Sequence, residues 1–139
     1  HLHRPAATAM ALCGKLEMEL AQMDREDEQE FRVSLAASEP GVARMARLAH
    51  DLLNLVSFFT IISNEVKAWT VPKDTPAVYA AGRIHSDMER GFIRAEVTSY
   101  DDLTRCGGLV QARRQGLLRS EGRAYPVQDG DVITFLFNV

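Results

Sequence analysis

Four short groups in this 139-residue sequence hold side chains able to do chemistry. His85-Ser86-Asp87 sets an imidazole, a hydroxyl and a carboxylate in succession, and His50-Asp51 an imidazole beside a carboxylate. Tyr100-Asp101-Asp102 carries two adjacent acids, and Cys106-Gly107-Gly108 a thiol at a backbone break. None meets the needs of the reaction it suggests. A nucleophile and its base must lie within hydrogen-bond reach, and neighbours at i, i+1 and i+2 do not face one another on a helix. His85-Ser86-Asp87 therefore reads as a packed helix end with a capping aspartate, and His50-Asp51 as a helix face. Two carboxylates without further oxygen ligands make a poor cation site, whereas acids suit the first turn of a helix. No lysine or histidine adjoins Cys106 to activate it. His1 and His3, two residues apart, lack the further ligands a metal needs. The catalytic and metal assignments are both none.

Arginine is the residue type that remains. Arg83, Arg90, Arg94, Arg113, Arg114, Arg119 and Arg123 all lie in the second half of the chain, and no acid occurs between Leu103 and Leu118. A guanidinium donates two parallel hydrogen bonds to a phosphate, which makes these side chains candidates for RNA contact. Arg113, Arg114, Arg119 and Arg123 form the best candidate patch. Trp69 and Tyr79 could stack on bases, although a strand tryptophan more often lines a core. The competing reading is a solvated surface whose arginines pair with Glu89, Glu96, Asp101 and Glu121. Sixteen Lys+Arg against nineteen Asp+Glu give a net charge of −3, so bulk charge cannot coat a nucleic acid and a local patch must.

The elements that must position these residues differ along the chain. Residues 1–64 carry six basic and nine acidic groups, net −3, and residues 65–139 carry ten of each. This shift puts a candidate boundary near Ser63–Glu65. Leu16, Leu20 and Met23 recur at helical spacing, and Phe31 with Leu35 extends the stripe. Ser38-Glu39-Pro40-Gly41 then breaks and restarts the chain, with Ser38 as cap. Val42, Met45, Leu48, Leu52 and Leu55 mark a second helix, giving an antiparallel pair that needs a further surface. From Val56 the period shortens. Val56–Ile62 and Glu65–Val71 read as strands joined at Ser63-Asn64, and Pro72 ends the second. Thr75 caps a helix with Pro76 in its first turn, running through Ala77–His85. Phe92–Val97 is another strand, followed by short helices over Tyr100–Arg105 and Leu109–Gln115. Gln128-Asp129-Gly130-Asp131 is a turn leading into Val132–Val139, whose Ile133, Phe135, Phe137 and Val139 share a face. One main helix on a mixed sheet is the β-grasp (ubiquitin-like) arrangement. The fold class is α+β, a helical hairpin followed by that domain.

No apolar stretch approaches the ~20 residues a membrane helix needs, since Leu52–Ile62 is broken by Asn54, Ser57 and Thr60. Cys13 and Cys106 are too few for a disulfide scaffold and read as two buried, reduced thiols of an intracellular protein. The start lacks a secretory pattern, although its Arg, Ala run and missing acids would also suit part of an organellar presequence. A carrier role, through a free Gly-Gly end, fails because the chain ends Phe137-Asn138-Val139 inside an apolar strand.

Four ordered blocks carry a resemblance. They are Glu65-Val66-Lys67-Ala68-Trp69-Thr70, Ala80-Ala81-Gly82-Arg83-Ile84-His85-Ser86-Asp87, Gly91-Phe92-Ile93-Arg94-Ala95-Glu96 and Tyr125-Pro126-Val127-Gln128-Asp129-Gly130-Asp131-Val132. With the ending Phe135-Leu136-Phe137-Asn138-Val139, the chain from about Val56 onward resembles the C-terminal TGS domain of the YchF/Obg-like ATPases. Leu12–Leu20 is similar to the segment where that family leaves its nucleotide-binding domain, and Glu39-Pro40-Gly41 to its second helical restart. The resemblance implies a division into 1–14, a remnant of the nucleotide-binding domain or a disordered start, 15–55, a helical segment, and 56–139, the TGS domain.

The same resemblance implies a parent P-loop nucleotidase using ATP or GTP with magnesium. This sequence contains no G-x-x-x-x-G-K-[ST], so the chain alone is expected to use no cofactor and to catalyse nothing. Cys13, Gly14 and Lys15 match the family segment that lies near the nucleotide base through its backbone. The implied partners are the ribosome or structured RNA and the protein's own nucleotide-binding domain, with no membrane; a homodimer of the piece is a further possibility. The implied location is the cytoplasm, with the mitochondrion as alternative. Two other roles stay open: a regulatory or structural domain without RNA contact, and the TGS module of an aminoacyl-tRNA synthetase or alarmone enzyme.

Overall fold

A computed structural model describes residues 7–37, 39–62 and 65–138. The expectations placed on His1, His3, Ser38, Ser63-Asn64 and Val139 lie outside the described residues. The chain divides into two compact units, His1–Asn54 and Leu55–Val139. The division falls ahead of the first strand, not at the charge shift near Ser63–Glu65, which lies between two paired strands.

The first unit has three helices where the sequence suggests a pair: α1 (Gly14–Leu20), α2 (Arg25–Ser34) and α3 (Gly41–Leu52). Asp24 makes the extra break. Its carboxylate accepts from the backbone N–H groups of Glu26 and Asp27, both at 3.0 Å, and so starts α2 anew. The expected apolar stripe is buried only in part: Leu20 is enclosed, while Met23, Phe31 and Leu35 are exposed. The enclosed side chain of α2 is instead Arg32. Its guanidinium holds Glu17 of α1 (Nη2–Oε2 2.9 Å) and Glu28 one turn back (Nε–Oε1 2.8 Å). The Arg32 hydrogen bond, followed by one from the Gly41 backbone, holds the Glu17 carboxyl below its ordinary pKa.

The second unit is a five-stranded sheet with helices on both faces. Its elements are β1 (Leu55–Ile62), β2 (Glu65–Pro72), α4 (Ala77–Ile84), α5 (Ser86–Arg90), β3 (Phe92–Ser99), α6 (Tyr100–Cys106), α7 (Leu109–Arg114), β4 (Arg119–Glu121) and β5 (Asp131–Phe137). The spatial order is β2-β1-β5-β3-β4. β1 and β2 pair antiparallel from Leu55↔Pro72 to Ile62↔Glu65. The last strand enters between β1 and β3, parallel to the former and antiparallel to the latter. This is the β-grasp topology, and the central place of β5 explains why Val132 is buried as well as Ile133 and Phe135. Phe137, expected on the same face, is more than a third exposed.

One sheet face meets α4. Val56, Phe58, Val71, Ala95, Val97, Ile133 and Phe135 pack with Ala77, Ala80 and Ala81, small residues that let the helix approach closely. Phe58 and Phe135 meet edge to face, with centroids 6.0 Å apart. Trp69 is half-buried at the margin of this core and donates from Nε1 to Thr60 Oγ1 at 3.0 Å.

Two helix starts differ from the sequence reading. Pro76, not Thr75, is the N-cap of α4, and the first free N–H groups donate outside the helix, Ala77 to the Tyr125 carbonyl (2.8 Å) and Val78 to that of Arg123 (3.3 Å). Thr75 turns back to the Pro72 carbonyl. At α5 the cap is the imidazole of His85, whose Nδ1 accepts from the Asp87 N–H at 3.1 Å. His85 is therefore exposed and capping, and Asp87 sits in the first turn it caps.

Candidate nucleic-acid interface

Along β3, Arg94 and Glu96 alternate with the core residues Ala95 and Val97, so they stand on the face away from α4. α7 lies over that face. Arg113, in its last turn, pairs through Nη2 with Glu96 Oε2, and Arg94 Nη2 stands 3.7 Å from Glu96 Oε1. Two guanidinium groups thus share one carboxylate. Arg114, next on α7, is exposed and makes no hydrogen bond or ion pair among the described residues. Arg94 and Arg113 against one acid leave this surface locally positive although the chain is net acidic.

The other sequence candidates go elsewhere. Arg119 stands on β4, where it donates to the Tyr125 hydroxyl at 3.2 Å and approaches Glu121 (3.4 Å) and Asp131 (3.9 Å). Burial works against its charge, but Tyr125, Asp131 and Glu121 outweigh it and raise its pKa. Arg123 donates to the Phe92 carbonyl at 3.2 Å and lies over that ring, 5.7 Å from its centroid. Arg90 pairs with Asp87 within α5. Arg83 is exposed on α4, on the opposite side of the sheet from α7, four residues beyond the exposed Tyr79. The structure therefore brings Arg113 together with Arg94 at Glu96, with Arg114 exposed next to Arg113 on α7, and separates these from Arg119 and Arg123.

Glu96 is the organising residue; it is among the acids the sequence offers as arginine partners, and of those Glu96 and Glu121 do pair with arginines of the candidate set. The signal was present: Arg94 and Glu96 are two apart in a strand, hence on one face. What could not be read was that α7 would fold back over them.

Beside the Arg113–Glu96 pair lies a cleft of about 330 Å³ between α7 and the sheet, lined by Glu96, Leu109, Val110, Arg113, Leu118 and Thr134. Thr134 is the cross-strand neighbour of Glu96, so both belong to the sheet side of the cleft.

The remaining motifs have structural employment. Ser99 caps α6, accepting from the Asp102 N–H at 3.1 Å while its hydroxyl donates to the Asp102 carboxylate at 2.8 Å. Asp102 also pairs with Arg105. The Cys106 thiol lies within 3.5 Å of the Leu103 and Gly108 carbonyls. Cys13, Gly14 and Lys15 form the start of α1; Cys13, expected to be buried, is exposed at the N-cap position, and the Lys15 ammonium lies 3.8 Å from Glu19.

Comparison with known proteins joins these observations. Residues 55–138 match the family model YchF-GTPase_C, described as a protein of unknown function (DUF933). The chain is 45% identical over 133 residues to the ribosome-binding ATPase YchF of Bacillus subtilis (strain 168), covering 96% of this chain and 36% of that protein. To the protein of the same name from Escherichia coli O157:H7 it is 42% identical over 136 residues, covering 98% of this chain and 38% of that one. The YchF GTPase of Schizosaccharomyces pombe aligns with a TM-score of 0.83 at 28% identity, over 95% of this chain and 35% of that chain. A GTP-binding protein from Pyrococcus horikoshii OT3, at TM-score 0.52 and 16% identity over 98% of this chain and 33% of that one, shares the fold alone. The chain spans 36–38% of the length of these two curated relatives. By the match over its whole β-grasp unit and the relatives that extend it through the helices, the chain belongs to the YchF family, as its C-terminal part.

Proposed function

We propose that this chain is the ribosome-contacting part of a YchF-type ATPase, and that it touches ribosomal RNA through phosphate contacts of Arg94, Arg113 and Arg114. The observation that carries this reading is the convergence of Arg94 and Arg113 on the single carboxylate of Glu96, beside an unengaged Arg114. One acid cannot neutralise three guanidinium groups, and their forked donors match phosphate oxygens. The names of the bacterial relatives support the ribosome as partner and, with it, a cytoplasmic location. Nucleotide hydrolysis, with ATP or GTP and magnesium, is proposed for the longer protein, because this sequence holds no phosphate-binding loop motif. Cys13, Gly14 and Lys15 are proposed to lie against the nucleotide base in that protein, and the helical unit to pack on its nucleotidase domain.

The test is titration of ribosomes with the chain at several salt concentrations. Each neutralised phosphate contributes roughly −0.7 to −0.9 to the slope of log K against log salt, so an Arg94/Arg113/Arg114→Ala variant should flatten that slope by about 2–3. If Arg83→Ala flattens it and the triple variant does not, the contact lies on α4 and the patch is refuted. If nothing binds at low salt, RNA contact by the chain is refuted, and the arginines become a docking surface for carboxylates of the nucleotidase domain. The hold of Arg113 on Glu96 shows how such a contact would be made.

A further inference from the structure

We propose that the cleft beside Arg113 takes an unpaired guanine base of an RNA strand. This rests on the RNA-contact reading above and assigns the base-reading part of that contact. The cleft lies between α7 and the sheet and, at about 330 Å³, falls in the range of small-ligand sites. Leu109, Val110 and Leu118 supply apolar walls for a planar ring, and Arg113 adds hydrogen-bond donors to the lining.

The polar lining sets the choice of base. Glu96 Oε2 is engaged by Arg113, but the nearest cation to Oε1 is Arg94 at 3.7 Å, beyond hydrogen-bond distance. A carboxylate can accept about four hydrogen bonds, so Glu96 keeps acceptor sites. Its side chain is 20% exposed, which leaves it reachable from the cleft. Guanine presents two adjacent donors, N1–H and the N2 amino group, followed on the same edge by the O6 acceptor. The two donors match a carboxylate, and O6 matches the free N–H groups of Arg113 beside it. Adenine offers Glu96 an unprotonated N1, and cytosine an unprotonated N3, either of which repels a carboxylate. Uracil has one N–H between two carbonyl oxygens.

The surroundings favour a nucleic acid strand over a peptide. A basic side chain would suit Glu96 alone, but the Arg113 guanidinium lines the cleft and that of Arg94 stands 3.7 Å from the same carboxylate, and both repel it. The same groups suit the phosphates on either side of an inserted base.

The experiment uses the 139-residue chain and four five-nucleotide RNAs, uridine throughout except for a central guanosine, adenosine, cytidine or uridine, with binding read by fluorescence anisotropy at low salt. Guanosine monophosphate is titrated alongside. Wild type should prefer the guanosine strand by about tenfold, the worth of one bidentate base contact. Val110→Trp fills the cleft from an exposed position while every arginine stays in place in the sequence, and should abolish the preference while the uridine strand binds as before. Glu96→Gln removes the carboxylate and should leave all four strands bound alike. In the wild type, amide shifts at Leu109, Leu118 and Thr134 should respond to the guanosine strand.

Strands that bind without preference, or a preference that survives both variants, would overturn the cleft assignment while leaving the phosphate patch standing. Guanosine monophosphate binding as tightly as the strand would overturn the assignment to RNA in favour of a free nucleotide. No binding of any strand would overturn this inference together with the reading beneath it.

Discussion

Replacing Tyr125 by Phe removes one hydroxyl and should destabilise the β-grasp unit by about 2 kcal/mol. The hydroxyl donates to Asp131 Oδ2 at 2.8 Å, and the Gln128 N–H donates to the same oxygen at 2.9 Å. Asp131 is 3% exposed and opens the central strand β5, so water cannot take over a lost donor. Hydrogen bonds to charged groups contribute roughly 1.5–3 kcal/mol, and leaving a buried charged acceptor short of a donor costs a similar amount. In a domain of this size about 2 kcal/mol lowers Tm by about 10 °C. Trp69 is the sole tryptophan and sits at the margin of this core, so urea unfolding followed by its fluorescence reports on the unit. Tyr125→Phe, Asp131→Asn and the double variant complete a cycle whose coupling should be about 1–2 kcal/mol. A coupling within about 0.5 kcal/mol of zero, the scatter of independent sites, would refute the clasp and with it the reason for the buried aspartate.

Alkaline pH tests the same cluster from the other side. Burial first, then the Asp131 carboxylate, push the Tyr125 phenol up to about 12. The native state therefore keeps this proton longer than the unfolded chain, so the resulting stability is whole below pH ~10 and lost as pH rises through about 12. Tyr125 is only partly buried and solvent screens part of the effect, so the loss should be on the order of 1 kcal/mol, and Tyr125→Phe should remove it from urea curves taken across that window. At Gly91 an added Cβ would stand 2.0 Å from the Asn138 carbonyl oxygen, and the Asn138 N–H already donates to the Gly91 carbonyl at 2.9 Å just beyond β5. Gly91→Ala should cost roughly 1–3 kcal/mol through a forced shift of that strand end, read in the same urea assay; an unchanged midpoint would refute it.

Much of the β-grasp unit is legible along the chain. Its strands alternate apolar and polar residues, its turns carry Asp-Gly and Gly-Gly, and helix α4 is rich in alanine where it meets the sheet. These are local signals, set by φ/ψ preference and by the period of two or 3.6, and they need no knowledge of distant neighbours. The helical unit was less legible. Asp24 could cap a helix or sit within an acidic helix face, and only the completed packing selects the cap. The burial of Arg32 was hidden for the same reason, since an arginine inside is tolerable only where Glu17 and Glu28 arrive to meet it.

Residue order is enough to set the class of the second unit, to exclude a phosphate-binding loop motif from these 139 residues, and to supply arginines suited to phosphate. Which arginines act together was decided only by tertiary structure. Arg119 and Arg123 are near Arg113 in sequence, yet the chain turns between α7 and β4, and their guanidinium groups are taken up by Tyr125, Glu121 and the Phe92 carbonyl. Arg94 is distant in sequence, yet the fold of α7 over β3 brings it to the same carboxylate as Arg113. Charge is a local property of residues, but the field they make depends on distance, and distance is set by the fold.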